Sequence, residues 1–193
     1  DIEKLNNISK NYISRLTAKE VYDGLLTWTN EFDKDFYDLL VKYDEYSINV
    51  LNIERERKKP RKDYGSYSEI KKNIWYMYDE LFNDSVYNNV ELNENTNNEI
   101  LLDYINNYYD ELDDEETWYN KLKELAKKYN FASEVKEYKE NPDNYNGHIG
   151  DICEFIRVVT TSLTKTPSLY EILKLLGKDR IEKRINMFIE SRN

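Results

Sequence analysis

Apolar residues recur at helical spacing along most of this chain. In the C-terminal third, Ile149, Ile152, Cys153, Ile156 and Val159 share one helical face. Leu169, Ile172, Leu173 and Leu176 share a second, and Ile181, Ile185, Phe188 and Ile189 a third. Thr166-Pro167 reads as an N-cap followed by proline at the first helical position. Gly177 ends that helix as a residue tolerant of left-handed backbone, and Lys178-Asp179 opens the next.

The N-terminal part reads the same way. Leu5, Ile8, Tyr12 and Ile13 mark a first helix over 1–16. Thr17 with Glu20 forms a capping box, followed by Val21, Leu25, Trp28 and Phe32 on one face. A helix over 34–43 turns Phe36, Leu39 and Leu40 inward; one over 46–57 turns Ile48, Leu51 and Asn52 inward. Ser66 with Glu69 reads as a second capping box, opening a helix with Ile70, Ile74, Met77, Tyr78 and Phe82. The polar, Asn-rich stretch 83–98 reads as a hinge. Helices are expected over 98–112, 114–129 and 132–138, with turns at Asn141-Pro142 and Asn146-Gly147. The expected fold is all-α. Two helical subdomains, 1–92 with a basic loop at 55–62 and 93–193, pack as an irregular cage.

Composition narrows the picture. With 193 residues there is room for one large helical domain or two small ones. Five Gly and three Pro leave little scope for a turn-rich β fold, and 18 Tyr argue against disorder despite a mean hydropathy of −0.89. One Cys makes neither an internal disulfide nor a zinc cluster, which fits a reducing cytoplasm. No apolar run approaches the roughly 18 residues of a membrane span. The polar first residues do not read as a signal peptide. A net charge of −10 argues by itself against nucleic acid.

One stretch reverses that charge. Arg55, Arg57, Lys58, Lys59, Arg61 and Lys62 face only Glu54 and Glu56. Such a cluster binds RNA phosphates; it also suits a solvated helix C-terminus. The residues alone leave both open. Other constellations carry less. His148-Ile149-Gly150 invites comparison with an ATP-binding His-Ile-Gly-His signature, but Asp151 follows and no strand precedes it. His148 reads as a polar residue at a helix start. The acids over 110–116 lack the central glycine of a calcium loop and read as a turn and helix start. Cys153 reads as a structural thiol. Trp75, Tyr78 and Phe82, like Trp118, Leu122, Leu125 and Tyr129, have the spacing of core residues. No catalytic or metal-binding residue is assigned.

Two strings carry a family resemblance. Residues 146–184, NGHIGDICEFIRVVTTSLTKTPSLYEILKLLGKDRIEKR, and residues 51–71, LNIERERKKPRKDYGSYSEIK, resemble bacterial-type glutamyl-tRNA synthetases in their C-terminal anticodon-binding region. The likeness is dense over 48–82 and 118–184, weaker over 1–47 and nearly absent over 83–117. It implies a cytoplasmic, monomeric, tRNA-binding module whose partners are the anticodon loop of a glutamate acceptor tRNA and the protein's own catalytic domain. ATP and magnesium would serve that catalytic domain, with no cofactor in this span, so the chain alone is expected to be inactive. Matching Pro-Arg-Lys-Asp places the family's base-reading arginine at Arg61, with Arg55 and Arg57 as rivals if the register slips. The resemblance also assigns anticodon contacts to Arg157, Thr166, Pro167 and Leu169. Thr160-Thr161-Ser162 departs from the family's more usual Leu-Thr-Gly, which leaves that turn's geometry open. Two alternatives stand beside this reading: a helical protein-interaction scaffold, which the net charge favours, and the equivalent region of a class I lysyl-tRNA synthetase.

Overall fold

The computed structural model describes residues 1–88 and 90–193. Asn89, within the polar stretch read as a hinge, lies outside the described residues. The chain folds into helices and short turns, with one isolated bridge between Ala132 and His148 among the described residues. It divides into two compact units, Asp1–Leu81 and Phe82–Asn193.

The first unit opens with α1 (Ile2–Ser14), whose N-cap Asp1 accepts from the Glu3 N–H. Only its C-terminal end is buried. Leu5, Ile8 and Tyr12, read as an inward face, stay exposed, because no described residue covers them; Ile13 alone enters the core. The Thr17–Glu20 box closes in both directions at 3.1 and 3.0 Å and starts α2 (Ala18–Phe32). Asp33 caps α3 (Lys34–Lys42). Then α4 (Asp44–Leu51) packs on α2, which also packs on α3. The inward residues of α4 are Ser47, Val50 and Leu51, not Ile48 and Asn52. At the centre, Tyr78 donates to the Ser47 hydroxyl at 2.8 Å, which donates to the Leu40 carbonyl at 3.0 Å. Phe36 meets the Tyr78 ring edge to face at 5.8 Å.

The second capping box does not form. Ser66 makes no cap bond, its hydroxyl pairs with Ser68, and Glu69 reaches back to the N–H of Gly65. The segment therefore breaks into a turn at Tyr67–Glu69, one helical turn α5 (Lys71–Ile74) and turns at Trp75–Met77 and Asp79–Leu81. Ile70, Ile74, Met77 and Tyr78 are buried all the same.

The second unit begins eleven residues before the boundary expected at 92/93. Phe82 lies under the Arg184 guanidinium, 4.0 Å from its ring centre, and the Tyr87 hydroxyl donates to the carbonyl of Val159. These contacts tie the start of the polar stretch to the C-terminal helices. α6 (Asn98–Asp103) runs into a π turn at Tyr104–Tyr108; α7 (Glu115–Lys128), capped by Asp114, packs on that turn and on α9 (Ile149–Thr161). A short α8 (Val135–Glu140) precedes α9. The last helix, α10 (Leu169–Ser191), packs on α9 and is broken at Gly177, whose φ of 77° and ψ of 162° leave the helical region. Arg180 donates to the carbonyls of Leu176 and Leu175 on one side of the break. Glu111 accepts from the Lys178 N–H on the other.

Candidate nucleic-acid interface

The basic loop is built by its one buried cation. Glu54 and Glu56 both have φ of 52°, a left-handed geometry that costs an L-residue about 1–2 kcal/mol. Arg55 between them is turned inward. Its Nε donates to the Leu51 carbonyl at 3.0 Å, and its Nη1 to the carbonyls of Ile13 and Leu16 at 2.6 and 3.1 Å. It thereby bonds carbonyls at the ends of α4 and α1 and fastens the two together. Burial pulls its pKa down, against the nearby Tyr64, Asp63 and Glu56. Arg55 is a structural residue of this loop, with its Nε and Nη1 spent on backbone.

The other cations face outward. Arg57 bonds Glu54 at 2.6 Å and the Lys59 carbonyl at 3.1 Å. Lys58, Lys59 and Lys62 are exposed and make no ion pair with a described residue. Arg61 is held in a fork: Nε and Nη2 donate to the two Asp63 carboxylate oxygens at 2.9 and 3.0 Å, with Glu54 3.7 Å away. The Asp63 bond raises the Arg61 pKa. The fork uses one side of the guanidinium. Nη1 has no hydrogen-bond partner among the described residues, so the distal edge retains donors in a fixed orientation.

In the second unit, the structure brings Arg157 and Thr166 together. Arg157 sits on α9, half-buried beside Ile156, and its Nε donates to the Thr166 hydroxyl at 2.9 Å. Thr166 in turn donates to the Pro167 carbonyl at 2.8 Å. Both Arg157 terminal nitrogens lack a hydrogen-bond partner among the described residues. Thr166 is not the N-cap: Ser168 takes that role, accepting from the Glu171 N–H at 3.2 Å, and α10 starts two residues later than the Thr-Pro pair implied. Pro167 is half-buried, and Leu169, the first residue of α10, is buried in the core at 4% exposure. The turn itself is shaped by Thr161, whose hydroxyl donates to the Arg157 carbonyl and accepts from the Leu163 N–H. Ser162 takes φ of 67° at the C-cap, the left-handed position where the resembled family more often has glycine.

Residues 35–189 match the family model described as an anticodon binding domain. The chain belongs to the anticodon-binding domain family. It is 35% identical over 192 residues to a glutamate–tRNA ligase of Clostridium perfringens (strain SM101), covering 98% of this chain and 35% of that protein. It is also 35% identical over 191 residues to that of Acetivibrio thermocellus and 32% over 192 residues to that of Sorangium cellulosum, covering 34% and 33% of those proteins. The chain thus spans about a third of the length of the curated relatives it matches. Neither the scaffold reading nor the lysyl-type reading gains support from these names.

Within this anticodon-binding domain the remaining polar constellations are structural. His148 caps α9: its Nδ1 accepts from Gly150, and Asp151 accepts from the His148 N–H. Cys153 is partly covered, and burial pushes its thiol up to about 11. The acids over 110–116 cap and pair: Asp114 caps α7, Asp113 meets Lys121 at 2.6 Å, and Glu111 serves Lys178. Sequence reasoning missed Arg184, buried at 1% exposure with Nη1 donating to the Thr160 carbonyl at 2.6 Å. It also missed Arg15, whose position beside the loop depends on the fold. Arg184 stood at the end of the family-like string over 146–184 with no role assigned.

Proposed function

We propose that this anticodon-binding domain recognises the anticodon of a glutamate acceptor tRNA, as part of a cytoplasmic glutamate–tRNA ligase. One observation carries this reading. The span matching the family contains two arginines, Arg61 and Arg157, each held at Nε by a neighbouring side chain with donors left at its outer end. A guanidinium oriented in this way suits a forked contact to the edge of an unstacked base. Lys58, Lys59, Lys62 and Arg57 then supply phosphate contacts, Pro167 offers an apolar ring face, and Thr166 orients Arg157. Arg55 leaves the contact set, because its guanidinium is buried. ATP, magnesium and the ligation step belong to the part of the ligase outside this span. The domain acts as a monomer beside that catalytic part.

Binding to tRNAs altered at single anticodon positions tests this reading. Arg61→Ala should relax preference at the first anticodon base, and Arg157→Ala at a later one. A good forked contact gives about 1–3 kcal/mol of discrimination. Lys58→Ala should weaken every anticodon variant alike. If Arg61→Ala and Lys58→Ala act uniformly and equally, Arg61 is another phosphate contact and the assignment of base reading fails.

A further inference from the structure

We propose that the groove between the C-terminal end of α1 and the basic loop is a phosphodiester-binding site, in which Arg15 and Asn11 join the loop lysines on the RNA backbone. This inference rests on the tRNA reading above. The groove has a volume of about 800 Å³, more than a single phosphate needs, and is lined by Asn11, Arg15, Arg57, Lys58, Lys59 and Lys62, with Glu56 as the lone lining carboxylate. Four of its cations, Arg15, Lys58, Lys59 and Lys62, form no ion pair with a described residue. In a chain of net charge −10, that concentration is a local inversion of sign. A groove lined by one sign of charge focuses its field on a counter-ion.

A second groove makes the contrast. It lies along α7 at about 610 Å³ and also carries three lysines. There each lysine is paired: Lys121 with Asp113 at 2.6 Å, Lys123 with Glu134 at 2.7 Å and Lys127 with Glu124 at 3.3 Å. It has little field left for an anion.

The first groove is also built to hold its shape. Arg55 donates to the Ile13 and Leu16 carbonyls on either side of Arg15, so one wall is bonded directly to the loop that forms the other. Ser14 is buried and bonded to the Asn11 carbonyl at 2.8 Å. Arg15, Asn11 and Lys62 also line an adjoining trough of about 620 Å³ that runs along α1 past Asn7 and Lys4 to the acids Glu3 and Asp1. The part lined from both sides, from the loop lysines to Arg15 and Lys62, is long enough to suit a strand of phosphates better than one small anion. Arg15 stands at the junction of the two troughs. Its own charge also suits the α1 C-terminus, but that role leaves the guanidinium free to contact a phosphate.

The test is binding of a tRNA transcript with a glutamate anticodon across a salt series, for wild type, Arg15→Gln and Lys62→Gln. Lys72→Gln is the control, since Lys72 is exposed, lies outside the groove and forms no ion pair with a described residue. Arg15 is exposed and its side chain makes no hydrogen bond to a described residue, so the variant should keep the wild-type circular dichroism spectrum and Tm. Arg15→Gln and Lys62→Gln should each lower affinity severalfold at low salt and shrink the log–log salt slope by about 0.7–0.9. The loss should be the same for every anticodon variant, and Lys72→Gln should leave both quantities unchanged. Wild-type affinity and slope in Arg15→Gln would overturn the inference, as would a loss confined to one anticodon base or an equal loss in Lys72→Gln. Absence of tRNA binding by the wild type would overturn the tRNA reading as well.

Discussion

Arg55 and Arg61 lie in one loop and do opposite things. Arg55 is held inward by the carbonyls of Leu51, Ile13 and Leu16, while Asp63 turns Arg61 outward and locks it. The loop's cationic character was legible in the sequence. Which arginine was structural was not, because the carbonyls of Ile13 and Leu16 are distant in sequence. Ser162 is a similar case at the end of α9. Its φ of 67° costs an L-residue about 1–2 kcal/mol, and glycine takes that geometry without a Cβ penalty. Ser162→Gly should therefore stabilise the second unit by about 1 kcal/mol, read as a higher urea midpoint at unchanged m-value. Asp103 sets a pH dependence. Burial would raise its pKa, but hydrogen bonds from Lys128, Asn107 and Tyr129 outweigh burial and hold it below the ordinary value. A depressed folded pKa contributes stability that is present above the unfolded aspartate value near about 4 and lost as pH falls through the folded one. Asp103→Asn should lower stability at neutral pH. Urea titrations of both proteins should converge as pH falls below that value.

Helix boundaries divide along the same line. The pairs Thr17/Glu20 and Ser66/Glu69 have the same capping-box spacing, yet only the first forms. Glu69 bonds the Gly65 N–H instead, and the buried positions from Ile70 to Tyr78 are filled by short turns. Apolar residues can reach a core from irregular backbone, so the list of core residues was largely right where the helix was not. Gly177 is the clearer success: it was expected to interrupt the C-terminal helices, and it does. A Cβ there would lie 3.2 Å from the Glu111 carboxylate at a φ of +77°. Gly177→Ala should cost about 1–3 kcal/mol, seen as a lower Tm with the helical circular dichroism spectrum retained below the transition.

For the molecule as a whole, charge sets how it meets RNA. The net charge of −10 repels a polyanion at long range, and the loop and groove attract it locally. Wild-type binding should therefore be weak and steeply salt-dependent. With roughly four phosphate contacts, each contributing about −0.7 to the log–log slope, affinity should fall roughly fiftyfold over a fourfold rise in salt. A filter-binding series measures it, and a flat response would exclude the basic loop as the footprint. The sequence by itself determined the all-α class, the cap at Thr17, the break at Gly177, the charge reversal at 55–62 and the resemblance that led to Arg61 and Arg157. These are written in local spacing, and helices are local structures. Only the tertiary structure decided that Arg55 is buried, that Thr166 holds Arg157 while Ser168 caps α10, and that Arg15 borders the basic loop. Each depends on which groups distant in the chain are left needing a partner once the helices have packed.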